Sequence, residues 1–543
     1  MHSKPNISTS WFWALLGLIT AVHLLGMICI DIMDIDATQY ASISREMMQS
    51  GEFLQVQHRH TDYLDKPPLL FWVTALSFKL FGISNFTFRL PSFLFLLLGI
   101  YSTFRLGKMY YDRRTGQLAA LILYSCQAYF LFSHDVRTDT ILANILIFGL
   151  WQLAVFLRDR TLLSVILGAI GIGLAMLGKG PIGLMVAVWA LGSEIAYQRN
   201  WKALFRWEWL VGFLVLGVLL APMTYGLYKQ FGWHGPEFFY WTQSFGRITG
   251  QSEWSDDSTI FFFVHTFLWA FLPWIFFAVF GLGKSVLDLV KSKFSGTSPK
   301  EIFTLGGFVI AFVALSLSNY KLPHYIFVVF PLIAIITART IWEIVGSAKN
   351  VKVFLGLQWI VFVAVWLVVL LLSTVVFSVE NILLVGALCA IFGASLYTLL
   401  RKGRFINQLA FSSLMTIAGV NIALNVHFYP SVLNYQAGSV AGKYIIEKQL
   451  PVEDIYFYET HLNSLEFYSR SIIDIADDEF VADASDILIY TNERGMSSLK
   501  AKGVKFTVEK EFDSFRVTKL SLKFLDPKTR HNTVSLHYLL RIE

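Results

Sequence analysis

Residues Tyr63 to Trp72 read YLDKPPLLFW. A tyrosine, an acid and a base stand directly before two prolines and an apolar run. Charge is costly at membrane depth, and proline is costly inside a helix. This stretch decides the topology. The apolar segment that begins at Pro67 ends near Gly82, and Lys79 interrupts its end. At 1.5 Å per residue its ~16 residues fall short of a ~30 Å hydrocarbon core. It therefore reads as an interfacial helix. Pro67 and Pro68 suit a first helical turn, where their missing N–H groups cost little. They also press Lys66 toward an extended backbone, outside the helix at the membrane edge. If the segment crossed instead, the number of spans would be even and both termini would share one side.

The rest of the chain makes that question a membrane question. Of 543 residues, 55% are hydrophobic and only 15% charged, against ~25% charged in soluble domains. The net charge of +6 is read as topology and contact with membrane lipids, and no nucleic-acid partner is expected. Cys29, Cys126 and Cys389 lie in separate apolar runs and imply no disulfide framework. The first run, Trp11 to Ile30, is long enough to cross and has no small-residue cleavage site after it, so it reads as a retained span.

About 13 spans follow, roughly at 12–30, 88–106, 116–133, 140–157, 161–178, 181–197, 209–227, 259–282, 303–318, 325–338, 353–377, 380–400 and 406–426. Lysine and arginine collect in one set of loops, among them Arg105, Lys108, Arg113 and Arg114, then Arg199, Lys202 and Arg206, then Arg401, Lys402 and Arg404. The positive-inside rule places those loops and the N-terminus in the cytoplasm. With an odd count, the C-terminal segment lies outside. Two external loops are long, 31–88 with interfacial helices (TQYASISREMMQSG is one, ending at Gly51) and 228–258. The expected domains are a transmembrane unit over 1–428 and a small soluble α/β unit over 429–543. In the latter, DIYFYET, SIIDIAD and DILIYTN read as strands and QAGSVAGKYIIEKQ as helix.

Polar residues gather on the external side. They include Asp34, Asp36, Tyr40 and Arg45; Tyr63, Asp65 and Lys66; Asp135, Arg137 and Asp139; Lys179; Arg247; and Lys321, His324 and Tyr325. Ionisable groups at membrane depth are functional candidates. A lone loop lysine more often anchors a helix end at the headgroups, and that is the first reading of Lys179 and of Lys321 taken separately. Asp36 and Asp139 gain no such benefit and read as functional. GLAMLGKG (Gly173 to Gly180) imitates a P-loop, but Gly replaces its hydroxyl residue and the run lies in a membrane helix, so nucleotide binding is excluded. Gly178, Gly180 and Pro181 read as a tight turn.

Acids and bases at an external membrane face suit transfer of a sugar from a polyprenyl-phosphate donor. Breaking the anomeric bond develops positive charge on the sugar, which carboxylates stabilise, and negative charge on the phosphate, which Lys and Arg stabilise. One carboxylate can also take the acceptor's proton.

The segments DIDATQYASISREMMQSGEFL, YLDKPPLLFWVTALSFKLFG, FRLPSF, RTDTILANI, LAMLGKGPIGL and YKLPHYIFVVFP resemble, in order over roughly 10–430, the bacterial aminoarabinose lipid A transferases. These are GT-C class, polyprenyl-phosphate-dependent glycosyltransferases related to protein O-mannosyltransferases. The resemblance implies 13 membrane helices, an inner-membrane location, a periplasmic C-terminal domain, and lipid A or another envelope molecule as acceptor. It implies catalytic roles for Asp36 and Asp139, and donor-phosphate contacts for Lys66, Arg247, Tyr325 and Tyr63. Tyr40, Lys321 and His324 are further candidates. The family's acid before Lys-Pro-Pro is commonly Glu and can share a divalent metal with a loop histidine; here it is Asp65, with Gln243 at the histidine position. Ala37 and Gln39 also replace family residues at the first acid. No cofactor is otherwise called for. Transfer to Ser or Thr of proteins is the nearest alternative. A flippase of lipid-linked sugars would show internal repeats and charge near the midplane, and an assembly subunit would leave Asp36 and Lys66 unexplained.

Overall fold

The computed structural model describes residues 8–243, 246, 258–294, 299–401 and 403–543. Helix α1 (Thr9–Cys29) opens with the Ser8 hydroxyl accepting from the Trp11 amide, a serine cap of the usual kind. Helix α2 (Asp36–Ser50) follows, starting two residues earlier than the quoted helix and stopping at Gly51 with φ +73°. A two-stranded hairpin, β1 (Gln57–His58) with β2 (Thr61–Asp62), leads to α3 (Leu69–Phe81). Pro68 stands just before α3 as its cap residue and Pro67 precedes it, so the helix begins two residues later than expected. Its 13 residues give ~20 Å, short of a crossing.

Helix α4 (Asn85–Tyr110) is fixed at its start by a Ser84–Thr87 capping box. Buried Arg89, one turn in, draws three segments together: its guanidinium donates to the carbonyls of Met27, Ile30, Asp31 and His134 at 2.6–3.0 Å. Two of these carbonyls belong to the ends of α1 and of α6 (Gln127–His134) and lack helical partners.

Helix α7 (Thr138–Asp159) turns at Arg160–Thr161 into α8 (Leu162–Lys179), making an antiparallel hairpin. The two backbones nearly touch, since a Cβ on Gly171 would stand 2.6 Å from Gly149 Cα. Small residues at a membrane helix interface permit that approach. The hairpin sets Asp139, at the start of α7, beside Lys179, at the end of α8. Gly180 (φ +93°) and Pro181 then turn the chain into α9 (Ile182–Tyr197), as expected.

Among the described residues nine helices are long and apolar enough to cross a membrane. Helix α5 (Arg113–Ser125) and α6, bent by 56° to one another, make a tenth if counted as one span. Of the other expected spans, Ile182–Tyr197 and Phe303–Ser316 are shorter apolar helices. The third, 259–282, is broken around Pro273 between Phe262–Ala270 and Ile275–Lys291.

The helical run from Phe405 carries through residue 428 to Leu433. A four-stranded sheet follows, ordered β3 (Ile455–Phe457), β4 (Leu488–Asn492), β6 (Ser535–Ile542), β5 (Phe506–Ser514). β3 and β4 are parallel and the other pairs antiparallel. SIIDIAD is not a full strand; it contributes one bridge, Ile475 to Phe457. The sheet unit is fastened to the first loop. Asp34 accepts from Thr38 and Ser464 hydroxyls, both at 2.6 Å, and Arg45 reaches the carbonyls of Glu466 and Ser471. Burial raises the Asp34 pKa, against the hydrogen bonds from Ser464 and Thr38 that lower it. Asp34 and Arg45, polar candidates by sequence, thus hold the two units together.

Candidate active site

Two cavities lie near one another where α2, α7, α8 and the turn before Phe330 converge. The first is a mainly apolar cleft. Leu142, Ile182, Met185, Trp189 and Leu315 line it, and Lys66, Asp139, Lys179, Gln243 and Tyr325 form its polar part. Asp139 is buried at 2% exposure, and its Oδ1 accepts from Lys179 Nζ at 2.5 Å. The same ammonium lies 3.7 Å from the centre of the Tyr325 ring, a cation–π contact. Lys179 is therefore no headgroup anchor but part of the cleft's charge arrangement. Lys66 Nζ donates to Asp65 Oδ2 at 2.7 Å and stays partly exposed. An ammonium has three donors, which leaves Lys66 able to meet an anion in the cleft.

The second cavity is lined by Asp36, Asp135, Arg137, His324, Tyr320 and Trp269, among others. Arg137 joins its acids: Nη1 donates to Asp36 Oδ2 and Nε to Asp135 Oδ2 at 3.0 Å. Burial disfavours charge on Arg137, but Asp135 and Asp36 outweigh it and raise its pKa. Asp36 is half-exposed, and its Oδ1 has no hydrogen-bond partner among the described residues. His324 stands between the cavities: it lines the second, while its Nε2 lies 3.6 Å from Asp139 Oδ2, which lines the first. The two carboxylates expected to act together thus sit on either side of one histidine.

Tyr40 and Tyr63 are not among the residues that line either cavity. Each ring packs edge-on against Phe71. Burial, then neighbouring ionisable groups including Asp36, pushes both phenols well above their usual pKa, so they stay protonated. Lys321 is buried and donates to the Ser258 carbonyl at 3.1 Å; it lines neither cavity. Arg247 lies outside the described residues.

Asp65 is the residue that the resemblance offers as a metal ligand. The groups that meet it are donors: Lys66 Nζ on Oδ2, and Gln243 Nε2 on the main-chain carbonyl and on Oδ1 at 3.3 Å. A divalent ion needs several oxygen, nitrogen or sulfur ligands converging on one point, and the described residues hold no cluster of three such side chains.

The contact of Arg137 with Asp36 joins residues 101 positions apart. The only signal for it was the alternation of charges in SHDVRTDT immediately before an apolar helix.

A family model described as dolichyl-phosphate-mannose-protein mannosyltransferase matches residues 65–225. Curated relatives carry another name. The undecaprenyl phosphate-alpha-4-amino-4-deoxy-L-arabinose arabinosyl transferase 2 of Proteus mirabilis (strain HI4320) is 25% identical over 300 residues, 53% of this chain and 52% of that protein. The corresponding transferase of Edwardsiella ictaluri (strain 93-146) is 27% identical over 323 residues, 58% of this chain and 56% of that one. The match thus spans somewhat over half the length of these relatives. The crystal structures of ArnT from Cupriavidus metallidurans, apo and bound to undecaprenyl phosphate, each superpose with a TM-score of 0.76 at 19% identity, covering 98% of both chains. This chain resembles the aminoarabinosyl transferases in sequence over some three hundred residues, and along nearly its whole length it has the GT-C fold of that crystal structure.

Proposed function

We propose that this protein is a multi-pass inner-membrane glycosyltransferase. It moves an aminoarabinose-like sugar from a polyprenyl-phosphate donor to a lipid A phosphate, or another envelope acceptor, at the periplasmic face. The N-terminus lies in the cytoplasm and the 429–543 unit in the periplasm. One observation carries the reading: an apolar cleft ends in Lys66 and Lys179, and a second cavity holding Asp36 adjoins it across His324.

The donor's chain lies along Leu142, Ile182, Met185 and Trp189, with its phosphate at Lys66, Lys179 and Tyr325. As the anomeric bond breaks, the two ammonium groups stabilise the departing phosphate, in a site whose apolar walls exclude water. Asp139 holds Lys179 in place. The acceptor enters from the second cavity. Arg137 holds Asp36 facing it, where Asp36 orients the acceptor and stabilises positive charge on the sugar. An ionised phosphate acceptor needs no strong base, so Asp36 then acts mainly as an organiser. Tyr63 and Arg247 complete the phosphate contacts.

The test is Asp36→Asn, purified and folded, assayed for transfer from a polyprenyl-phosphate sugar. Loss of an electrostatic contact to the transition state predicts a ~100-fold or greater fall; undiminished turnover removes Asp36 from the mechanism. The family-model match favours one alternative, transfer to Ser or Thr of a protein. Mass spectra of lipid A and of glycoproteins, with and without the protein, separate the two.

A further inference from the structure

The second cavity has a wall supplied by the C-terminal unit. Arg516, Val517, Thr518 and Leu520, from the connection between β5 and β6, line it together with Asp36, Arg137 and His324. This connection is not a loose loop. The Phe515 amide donates to the Tyr435 carbonyl at 2.8 Å, and its ring stacks on Phe524 with centroids 3.8 Å apart. Val517 is buried in an apolar cluster with Ile30, Phe428 and Val432 of the helical unit. Further along, Arg530 donates to the Val376 carbonyl at 2.6 Å and lies over the Phe377 ring. Arg516 is thus held between two packed neighbours while its own side chain is exposed. No ion pair or side-chain hydrogen bond engages it among the described residues.

The charges of the cavity make Arg516 informative. Asp36 and Asp135 are both taken by Arg137. Arg516 brings the lining's guanidiniums level with its two carboxylates, and among the described residues it is the one left without an ion pair, on a rigid support, where the acceptor enters. A guanidinium presents paired donors that match a phosphate. We propose that Arg516 binds a phosphate group of the acceptor, and that the C-terminal unit is a wall of the acceptor site. This rests on reading the second cavity as the acceptor's place. The same chemistry could come from a lipid headgroup or from a free phosphorylated saccharide.

The experiment uses the full chain in nanodiscs and begins with binding, which needs no turnover. Bisphosphorylated lipid A is titrated against wild type, Arg516→Ala and Arg516→Lys, with melting temperatures measured alongside. Loss of one charge-assisted contact predicts ~10-fold weaker binding by the Ala variant, substantial recovery with Lys, and unchanged melting. Competition by glucosamine 1-phosphate that is lost in the Ala variant assigns recognition to the phosphosaccharide itself; no competition, with the lipid effect intact, assigns it to the membrane-held headgroup. Equal lipid A binding by wild type and Ala variant overturns the proposal. In transfer assays the acceptor KM should rise by the same factor while the donor KM and kcat hold. If wild type binds lipid A through Arg516 but transfers no sugar, the transferase reading fails and this one stands.

Discussion

Two clusters of charge lie at opposite ends of α9, and one of them lines the apolar cleft. At the start of α9 stand Asp139, Lys179 and Lys66. Near its end stand Glu194 and Glu301, with Tyr111 and Arg339. Both clusters meet the ordinary criterion for function, ionisable groups within an apolar bundle. Their hydrogen bonds separate them. Glu194 Oε2 accepts the amides of Ile302 and Phe303 at 2.9 and 3.0 Å. Glu301 accepts the Thr304 amide and hydroxyl and, at 2.6 Å, the Tyr111 hydroxyl. These carboxylates cap the helix Phe303–Ser316 and satisfy donors its first turn would leave unpaired. Lys66 and Asp36 retain donors and acceptors that open onto a cavity. Buried charge marks a site when part of its bonding capacity is left for a ligand.

The largest effect should come from Asp139→Ala. Removing one member of a buried pair takes its carboxylate from Lys179, at a cost of ~3–5 kcal/mol in stability. Activity should fall by ~100-fold or more, because Lys179 loses the partner that places it. The double change Asp139→Asn with Lys179→Met should regain melting temperature but not sugar transfer. Recovery of both would make this cluster structural, like its counterpart, and erase the contrast.

Glu301→Ala probes the other end. It should cost ~1–3 kcal/mol, from the lost cap and the unpaired Tyr111 hydroxyl, read as a lower melting temperature in detergent. Turnover per folded molecule should be unchanged. A fall in kcat without a fall in stability would show that the second cluster also serves the reaction.

The site was legible in sequence where the backbone itself carried the signal. Two prolines force Lys66 off the helix, and Pro323 sets the turn that presents His324 and Tyr325, so both motifs could be read locally. Lys179 could not, because its meaning depends on Asp139, 40 residues away. That pairing requires the glycine contact between α7 and α8, and a lysine ending an apolar helix resembles an anchor. Glu194 and Glu301 were not legible, because their partners Ile302 and Tyr111 lie 108 and 190 positions away. In the fold, apolar runs placed helices well, since burial in lipid demands them. β5 was missed because most of its residues are exposed and polar, and SIIDIAD was over-read because β-branched residues also suit a single bridge.

The smallest effect, at Tyr325, asks what the open end of the contrast consists of. The Lys179 ammonium faces the Tyr325 ring at 3.7 Å, and that contact depends on the π face rather than the hydroxyl. Tyr325→Phe keeps the face; Tyr325→Leu keeps apolar volume and loses it. A desolvated cation–π contact of ~1–2 kcal/mol predicts about a tenfold rise in donor KM for Leu, with Phe close to wild type. If Phe and Leu are impaired alike, the hydroxyl is the working group and Tyr325 meets the donor phosphate directly. The ring beside Lys179 would then be packing, and Tyr325 would resemble Tyr111 at the closed end, whose hydroxyl is the group that bonds.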